Sequence, residues 1–482
     1  MIPQIAGNPL RQATLVLVLA LLLGGCSLAP AYHRPAVALP ANFADSQAPA
    51  AASVGQIQEL KAHELAFLRA FAPRTALAPL VSAALAHNAD YRMATLRVEQ
   101  ARAQYRIERS ARLPSVGVDA QRVRQIYDDP ELQQRFQQEL SVASVGIGDF
   151  ELDFFGKLKS LSDAARSRYM ASTHGQEAAR GALIAEVLRA YTLERATAGE
   201  LAIQQTIEAD TAALLAYAQR QQAVGMLSQD ELNRQRAEAD RVRVRTLQAA
   251  DDHRAALRAM HLLTGFATVE IEGALADLAP GDESDGALRD LDSDVLLQRP
   301  DVQQAEAELR ARNADIGAAR AAFFPSIRLS TGLGTASSTL GGLFDSGSRM
   351  WSFTPQLSLP IFDFGRNRSN LDLAKVRKQA GIVEYERTIE SAFREVADAL
   401  DARATLGIAR DRSHASLQRE QRRIERMALR VERGLQDRGG LLEERVQLGR
   451  TALDALSVDR DAALNRIAVF RAFYGVRLPA SS

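Results

Sequence analysis

The sequence predicts a mainly α-helical protein with a small set of membrane β-strands, built as two copies of one structural unit. Three observations predict this fold class: a repeat offset by about 210 residues, two long intervals without proline, and alternating segments before each interval. The 482 residues include 59 basic and 59 acidic side chains. This balance argues against a nucleic-acid partner, because binding nucleic acid requires an excess of positive charge.

The internal repeat keeps one register over most of the chain. Pro114 recurs 211 residues later as Pro325, and Gly225 recurs 209 residues later as Gly434. So constant an offset indicates two copies of one unit, joined by an acidic, glycine-bearing linker. The predicted segments are residues 76–275 (first unit), residues 276–295 (linker), residues 296–476 (second unit) and residues 477–482 (tail).

The N-terminal segment has the pattern of an export signal. The apolar run at residues 13–23 is too short for a transmembrane helix, which needs roughly 20 residues, but fits the hydrophobic region of a signal peptide. Leu-Gly-Gly-Cys follows and resembles a bacterial lipobox, in which the cysteine receives a diacylglycerol; the alternative is an ordinary buried cysteine. We expect a lipoprotein signal peptide at residues 1–25, lipid on Cys26, and a lipidated extended arm at residues 26–75. Ser27, by resemblance to other lipoproteins, favours export to the outer membrane.

Each unit continues from a first helix into segments with alternating apolar residues. A period of two with β-branched and aromatic residues predicts strands. We expect one β-hairpin at residues 113–155 and another at residues 325–364, with strands of about 10 to 13 residues, long enough to span a membrane. Four strands are too few to close a bacterial barrel, which has at least eight, so several chains must cooperate.

Two long helical hairpins follow the strands. Residues 157–224 and 366–433 contain no proline and are rich in good helix formers. At 1.5 Å per residue, a helix over either interval is about 100 Å long, whereas ordinary helices average about 11 to 12 residues. With the return helices, the predicted hairpins cover residues 156–265 and residues 365–475. Helices of this length indicate a rod or a tube.

The usual motifs of enzymes and metal sites are absent from the sequence. The chain contains one cysteine and seven dispersed histidines. It contains no HExxH pair, no GxxxxGK[ST] loop and no GxSxG elbow. We therefore expect no catalytic residue, no metal site and no cofactor apart from the covalent lipid.

Three stretches carry a resemblance to a known family. They are CSLAPAYHRPAVALPANF at residues 26–43, LLQRPDVQQAEAELRARNADIGAARAAFFPSI at residues 296–327, and LPIFDFGR at residues 359–366. The chain resembles the TolC-like outer membrane factors over essentially its whole length. In particular, it is similar to their lipoprotein branch, the NodT or OprM type.

The resemblance implies a TolC-like trimer. Each chain would give four strands to a twelve-stranded outer-membrane β-barrel, which a long α-helical barrel continues through the periplasm. An equatorial region, which starts within residues 26–75, would surround the helical barrel. The implied function is the passive exit duct of a tripartite efflux pump in a Gram-negative bacterium. Such a duct conducts small molecules such as drugs when docked to a periplasmic membrane-fusion adaptor and an inner-membrane RND transporter.

Two other functions stay open at this point. One is a type I protein-secretion duct of the same fold, which the lipobox disfavours because secretion ducts of this family are usually unlipidated. The other is a lipid-anchored structural coiled coil without a pore.

The resemblance implies that the two hairpin tips are the surface that the adaptor meets. Glycine supplies the turn that ends the outgoing helix, and Ser228 suits the N-cap of the returning helix. The alternative is that these residues are caps and nothing more. The predicted contact residues are Gly225, Met226, Leu227, Ser228, Gly434 and Leu435.

The second tip carries the predicted periplasmic gate. The resemblance places an apolar residue and, one turn later, an aspartate there, and these positions are Gly439 and Glu443 in this chain. We hypothesise that Glu443 lies at the entrance constriction and that charge pairing holds the closed state. Arg438 and Arg445 are near enough in sequence to neutralise Glu443. The alternative is a solvated glutamate on a helix surface.

Overall fold

The structure is a computed structural model, and the chain divides into two compact parts, Met1–Asp45 and Ser46–Ser482. In the first part, the described residues 29–35 form neither helix nor strand. The predicted signal peptide and Cys26 lie outside the described residues, as does half of the predicted linker. The described residues are 29–35, 59–74, 77–136, 138–265, 275, 278, 286–289 and 291–477.

The helices and strands of the described residues all belong to the second part, Ser46–Ser482, in the order that the repeat predicts. Before the linker, the elements are α1 (Ala62–Phe71), α2 (Ala78–His87), α3 (Ala89–Ser110), β1 (Val116–Gln125), α4 (Pro130–Phe136), β2 (Gln138–Leu152), α5 (Lys157–Ala223) and α6 (Gln229–Thr264). After it come α7 (Gly286–Arg289), a 3₁₀ helix (Ser293–Gln298), α8 (Pro300–Ala321), β3 (Ser326–Ser337), a 3₁₀ helix (Leu340–Phe344), β4 (Arg349–Ser358), α9 (Arg366–Glu432) and α10 (Arg438–Ala472).

The long helices have the predicted dimensions. Helices α5 and α9 each contain 67 residues, which corresponds to about 100 Å. The return helices α6 and α10 contain 36 and 35 residues. The prediction of a mainly α fold with two long helical hairpins is confirmed. Within the described ranges, no helix combines the length and the apolar character needed to cross a membrane.

The four strands form one antiparallel sheet in the order β1-β2-β3-β4. Each strand therefore pairs with its neighbour in sequence, and β1 and β4 are the edges. The register between β2 and β3 shifts between Ile147 and Phe150, where Asp149 adopts a positive φ of 51°. The predicted set of four strands is confirmed, and the bulge adds a change of register that alternation does not reveal.

The helices pack side by side in two overlapping rows. Nearer the strands, the order of neighbours is α3, α5, α8, α9. Nearer the hairpin tips, it is α6, α5, α10, α9. Helix α5 is central in both rows, so it joins the two structural units along most of its length.

The main apolar core lies at the middle of α5. Helices α1 and α2 and the ends of α6 and α10 pack around that segment. Phe71, Ile184, Leu188 and Met260 are fully buried there. This packing places α1, near the start of the Ser46–Ser482 part, next to the C-terminal end of α10.

Candidate functional site: the sheet, the equatorial network and the hairpin tips

The sheet has one apolar face and one polar face. Successive side chains of a strand point to opposite faces, so the register assigns each residue to one of them. The apolar face includes Val116, Val118, Val145, Ile147, Leu329, Leu333, Trp351, Phe353 and Leu357. The other face is mainly polar and includes Gly117, Asp119, Gln121, Ser144, Gly146, Ser330, Gly332, Gly334, Ser352, Thr354 and Gln356; the apolar residues Val123, Leu140, Val142 and Met350 lie on it toward the end away from the helices.

The apolar face has the height of a membrane band and aromatic residues at both limits. Leu357 and Trp351 are six residues apart on β4, about 20 Å along the strand. Trp351 is 75% exposed at the upper limit. At the lower limit, where strands join helices, lie the exposed residues Phe154, Phe155, Phe323, Phe324, Phe362 and Phe364. Aromatic girdles beside a band about 25 Å tall are typical of outer-membrane strands. The apolar face therefore suits lipid, and the polar face suits a water-filled lumen.

A buried polar network connects α1 to both repeats of the chain. The Arg180 guanidinium of α5 donates to both Glu64 carboxylate oxygens of α1, over 2.8 and 2.9 Å. The hydroxyl of Tyr474, which follows α10, donates to the same carboxylate over 2.8 Å. Burial raises the Glu64 pKa, but hydrogen bonds from Arg180, a backbone N–H and Tyr474 outweigh it, so the pKa lies below its usual value. Sequence analysis missed this network, because its members are far apart in the chain.

Both hairpin tips end in the same backbone motif. Gly225 and Gly434 adopt positive φ values of 74° and 70°. The next residue donates its N–H to a carbonyl five positions back: Met226 to Gln221 over 2.8 Å, and Leu435 to Arg430 over 2.9 Å. This bonding satisfies the helix end through the backbone and glycine alone.

Apolar side chains at the tips are exposed without serving the caps. Met226 is 77% exposed and Leu435 is 66% exposed, whereas Leu227 is half-buried. The N-cap of α6 is Ser228, whose hydroxyl accepts from the Glu231 N–H over 3.2 Å. Capping therefore accounts for Gly225, Gly434 and Ser228 but leaves the exposed apolar tip side chains without a role inside the chain.

A seam between α5 and α10 joins the two tips. The Tyr217 hydroxyl of α5 donates to Asp437 over 2.6 Å, and Asp437 also caps α10 by accepting from the Gly440 N–H. The hydrogen bond from Tyr217, followed by those from backbone N–H groups, lowers the Asp437 pKa. The predicted gate residue Gly439 is buried here, and a Cβ on it would lie 2.8 Å from a Tyr217 ring carbon. A larger side chain at Gly439 would displace Tyr217.

The other predicted gate residue, Glu443, is exposed on α10. Within the part of the chain that the structure describes, it forms no ion pair. Arg445, which is near enough in sequence to neutralise Glu443, pairs instead with Asp210 of α5 over 3.3 Å. Within one chain, Arg445 lies on the seam and Glu443 lies on the exposed side of the helix.

Residues 80–266 and 291–473 match the family described as "Outer membrane efflux protein". The chain belongs to the outer membrane efflux protein family. Outer membrane protein OprJ of Pseudomonas aeruginosa is 40% identical over 401 residues, 81% of this chain and 80% of that protein. Cation efflux system protein CusC of Escherichia coli K12 is 37% identical over 404 residues, 83% of this chain and 86% of that protein.

Solved structures agree with this family. The open state of the Neisseria gonorrhoeae MtrE outer membrane channel superimposes with a TM-score of 0.72 at 32% identity, covering 95% of this chain and all of that one. The predicted family, fold class, efflux function and outer-membrane location are confirmed. Members of this family are efflux channels, and among the described residues no group of three or more His, Cys, Asp or Glu side chains could hold a metal ion.

In this efflux channel, close packing at the seam predicts that replacing glycine by alanine changes the stability in opposite directions at two positions. A Cβ on Gly449 of α10 would lie 2.5 Å from Ile207 of α5, whereas one on Gly407 of α9 meets nothing within 4 Å. Gly449→Ala is expected to destabilise the chain by about 1 kcal/mol or more, because a β-branched neighbour yields poorly. Gly407→Ala is expected to stabilise by about 0.5 to 1 kcal/mol, because glycine weakens helices. Urea-unfolding midpoints in detergent measure both; stabilisation by both would contradict the close approach.

Proposed function

We propose that this efflux channel is the exit duct of a tripartite efflux pump. Three chains form a homotrimer whose sheets join into a twelve-stranded barrel in outer-membrane lipid and whose helices form a periplasmic tube. A periplasmic membrane-fusion adaptor and an inner-membrane RND transporter dock to it and supply the energy. The arm, the two units, the linker and the tail keep the predicted bounds in this proposal.

The observation that carries this proposal is the two-faced sheet with unpaired edges. An open edge in lipid leaves backbone N–H and C=O groups unsatisfied, each costing several kcal/mol. The edge strands β1 and β4 are antiparallel to one another in the chain order, so β4 of one chain can pair with β1 of the next. A ring closed in this way places the apolar face toward lipid and the polar face around a lumen.

Small molecules are the proposed cargo. Relatives at 37 to 40% identity carry the names cation efflux system protein, solvent efflux pump outer membrane protein and toluene efflux pump outer membrane protein. The polar face carries small side chains and several glycines, which suit a wide and unselective lumen.

The test of the duct uses the purified full-length channel. Native mass spectrometry in mild detergent is expected to show mainly a trimer, and planar-bilayer recordings are expected to show discrete conductance steps. A mainly monomeric mass would contradict the ring. A trimer without conductance in both the wild type and Glu443→Ala would contradict the duct.

Lipid on Cys26 is a second part of the proposal, and it rests on the apolar run and the Leu-Gly-Gly-Cys motif. Two or more acyl chains anchor a protein stably, since each buried CH₂ contributes about 0.8 kcal/mol. Intact-mass analysis is expected to show a mature chain that begins at Cys26 and carries lipid. Cys26→Ser is expected to abolish both the lipid mass and the cleavage. An unmodified chain beginning elsewhere would contradict the assignment.

The gate is a third part of the proposal. Glu443 is exposed and forms no ion pair with the described residues of its own chain, so in a closed trimer three copies can face one another or meet cations of the neighbouring chains. Glu443→Ala is expected to raise single-channel conductance and outer-membrane leakage of a large antibiotic. Glu425→Ala, which removes an exposed glutamate from α9, is the matched control and should change neither. Equal behaviour of the two variants would exclude Glu443 from the gate.

A further inference from the structure

Basic side chains lie above the apolar band, on the same face of the sheet. Arg122 and Arg124 belong to the face of Val118 by the alternation of β1, and Arg349 belongs to the face of Trp351 by that of β4. The two β1 residues approach the connection to β2, and Arg349 opens β4 directly after the connection from β3. All three therefore lie at the end of the sheet opposite the helices. Because the helices extend into the periplasm, this end faces the exterior.

The height of these side chains matches the headgroup region of a membrane. Arg349 is two residues above Trp351, about 7 Å along the strand, and Arg122 is four residues above Val118, about 13 Å. The polar layer of a bilayer begins where its hydrocarbon ends and is several ångströms thick. Long arginine side chains reach such a layer while their stems stay on the apolar surface.

The charges of the strand residues on this face are not balanced by one another. Glu139 is the acidic residue on the same face, and Arg122 donates to it over 2.6 Å while Arg124 lies 4.0 Å away. Arg349 is exposed and forms no ion pair with any residue that the structure describes. Three guanidinium groups and one carboxylate thus leave two positive charges per chain. The carboxylates of the two connections, Asp128, Asp129, Glu131 and Asp345, lie beyond the strand ends, and Asp129 is engaged by the N–H groups of α4.

We propose that Arg122, Arg124 and Arg349 bind the phosphate groups of a phosphorylated glycolipid in the outer leaflet. Guanidinium groups bind phosphate in a bidentate manner and are the usual partners of phosphate at protein surfaces. The three side chains sit on the edge strands, so ring closure places Arg349 of one chain beside the β1 arginines of the next. An anion at this junction between β4 and β1 reduces the repulsion between the arginines of the two chains. This proposal rests on the proposed function, because it requires the closed trimer.

The test is a lipid titration of the full-length trimer followed by native mass spectrometry. The probes are diphosphoryl and monophosphoryl lipid A with identical acyl chains. The expected result is tighter binding of the diphosphoryl form. A combined variant, Arg122→Gln, Arg124→Gln and Arg349→Gln, is expected to lose roughly 100-fold in affinity for it, since each basic side chain at an anionic lipid surface contributes about fivefold.

The control is Arg135→Gln, which removes one positive charge from α4, outside the sheet. This variant is expected to keep wild-type affinity. Equal binding of the two lipids, an unchanged affinity of the combined variant, or an equal loss in the control would each overturn the proposal. Inorganic phosphate that displaces the lipid when present at the same concentration as the lipid would also overturn the proposal, because the site would then bind free phosphate. The lipid-free spectrum reports the trimer separately, so a failure of ring closure is distinguished from a failure of lipid binding.

Discussion

Arg180→Met is expected to destabilise the folded chain by about 3 to 5 kcal/mol. The substitution leaves the Glu64 carboxylate fully buried without its cationic partner, and an unpaired buried charge carries a penalty of this size. The Tyr474 hydroxyl and the Lys61 N–H remain, but two neutral donors do not replace two charge-assisted hydrogen bonds. The shift of the urea-unfolding midpoint of the detergent-purified protein measures the loss.

The same helix offers a matched control. Arg168 of α5 pairs with Asp315 of α8, but both side chains are partly exposed. Arg168→Met is therefore expected to cost at most about 1 kcal/mol, because solvent screens such pairs. Equal losses for the two substitutions would contradict the special role of the buried network.

The stability from Glu64 has a defined pH dependence. Its pKa is lowered in the folded chain, so the ionised carboxylate stabilises the fold at pH values above the unfolded pKa of about 4.3. This contribution is lost as the pH falls through the lower, folded pKa. The difference between the wild type and Arg180→Met is thus expected to shrink below about pH 4.

Met226→Asp is expected to abolish export while the channel still folds and assembles. Met226 is 77% exposed, and the turn beside it is closed by backbone hydrogen bonds, so its side chain is not needed for folding. On the proposed function, this side chain enters an apolar contact with the adaptor, where a carboxylate would be buried without a partner. Minimum inhibitory concentrations of exported compounds, together with the amount of trimer in the outer membrane, measure the two effects.

Two control variants separate the loss of an apolar contact from the gain of charge. Met226→Leu keeps an apolar side chain and should keep export. Gln229→Asp adds a negative charge to the same tip, in the first turn of α6, where the helix dipole favours it. If export survives Met226→Asp, the tip residues serve only to cap the helices. If export is lost in both Met226→Asp and Gln229→Asp, the added negative charge and not the lost apolar contact is the cause.

Much of the fold is determined by the sequence itself. The absence of proline over residues 157–224 and 366–433 specifies helices of 67 residues, because helix propensity is a local property that adds along the chain. Gly225 and Gly434 specify the tips, since a positive φ costs glycine little. The repeat predicts the second unit from the first, so four strands and two hairpins follow from local patterns.

The tertiary structure alone decided which distant residues meet and which face each strand residue occupies. Arg180 and Glu64 are 116 residues apart, and Tyr217 and Asp437 are 220 residues apart, so no local pattern pairs them. A count along the second tip assigns Gly439 to the gate. The structure instead packs it against Tyr217 of another helix, a contact that no count along the sequence reveals. The bulge between Ile147 and Phe150 likewise moves side chains from one face to the other, because a shift of one residue inverts an alternation of period two. Local periodicity determines the elements, whereas register and helix contact depend on the packing of the whole chain.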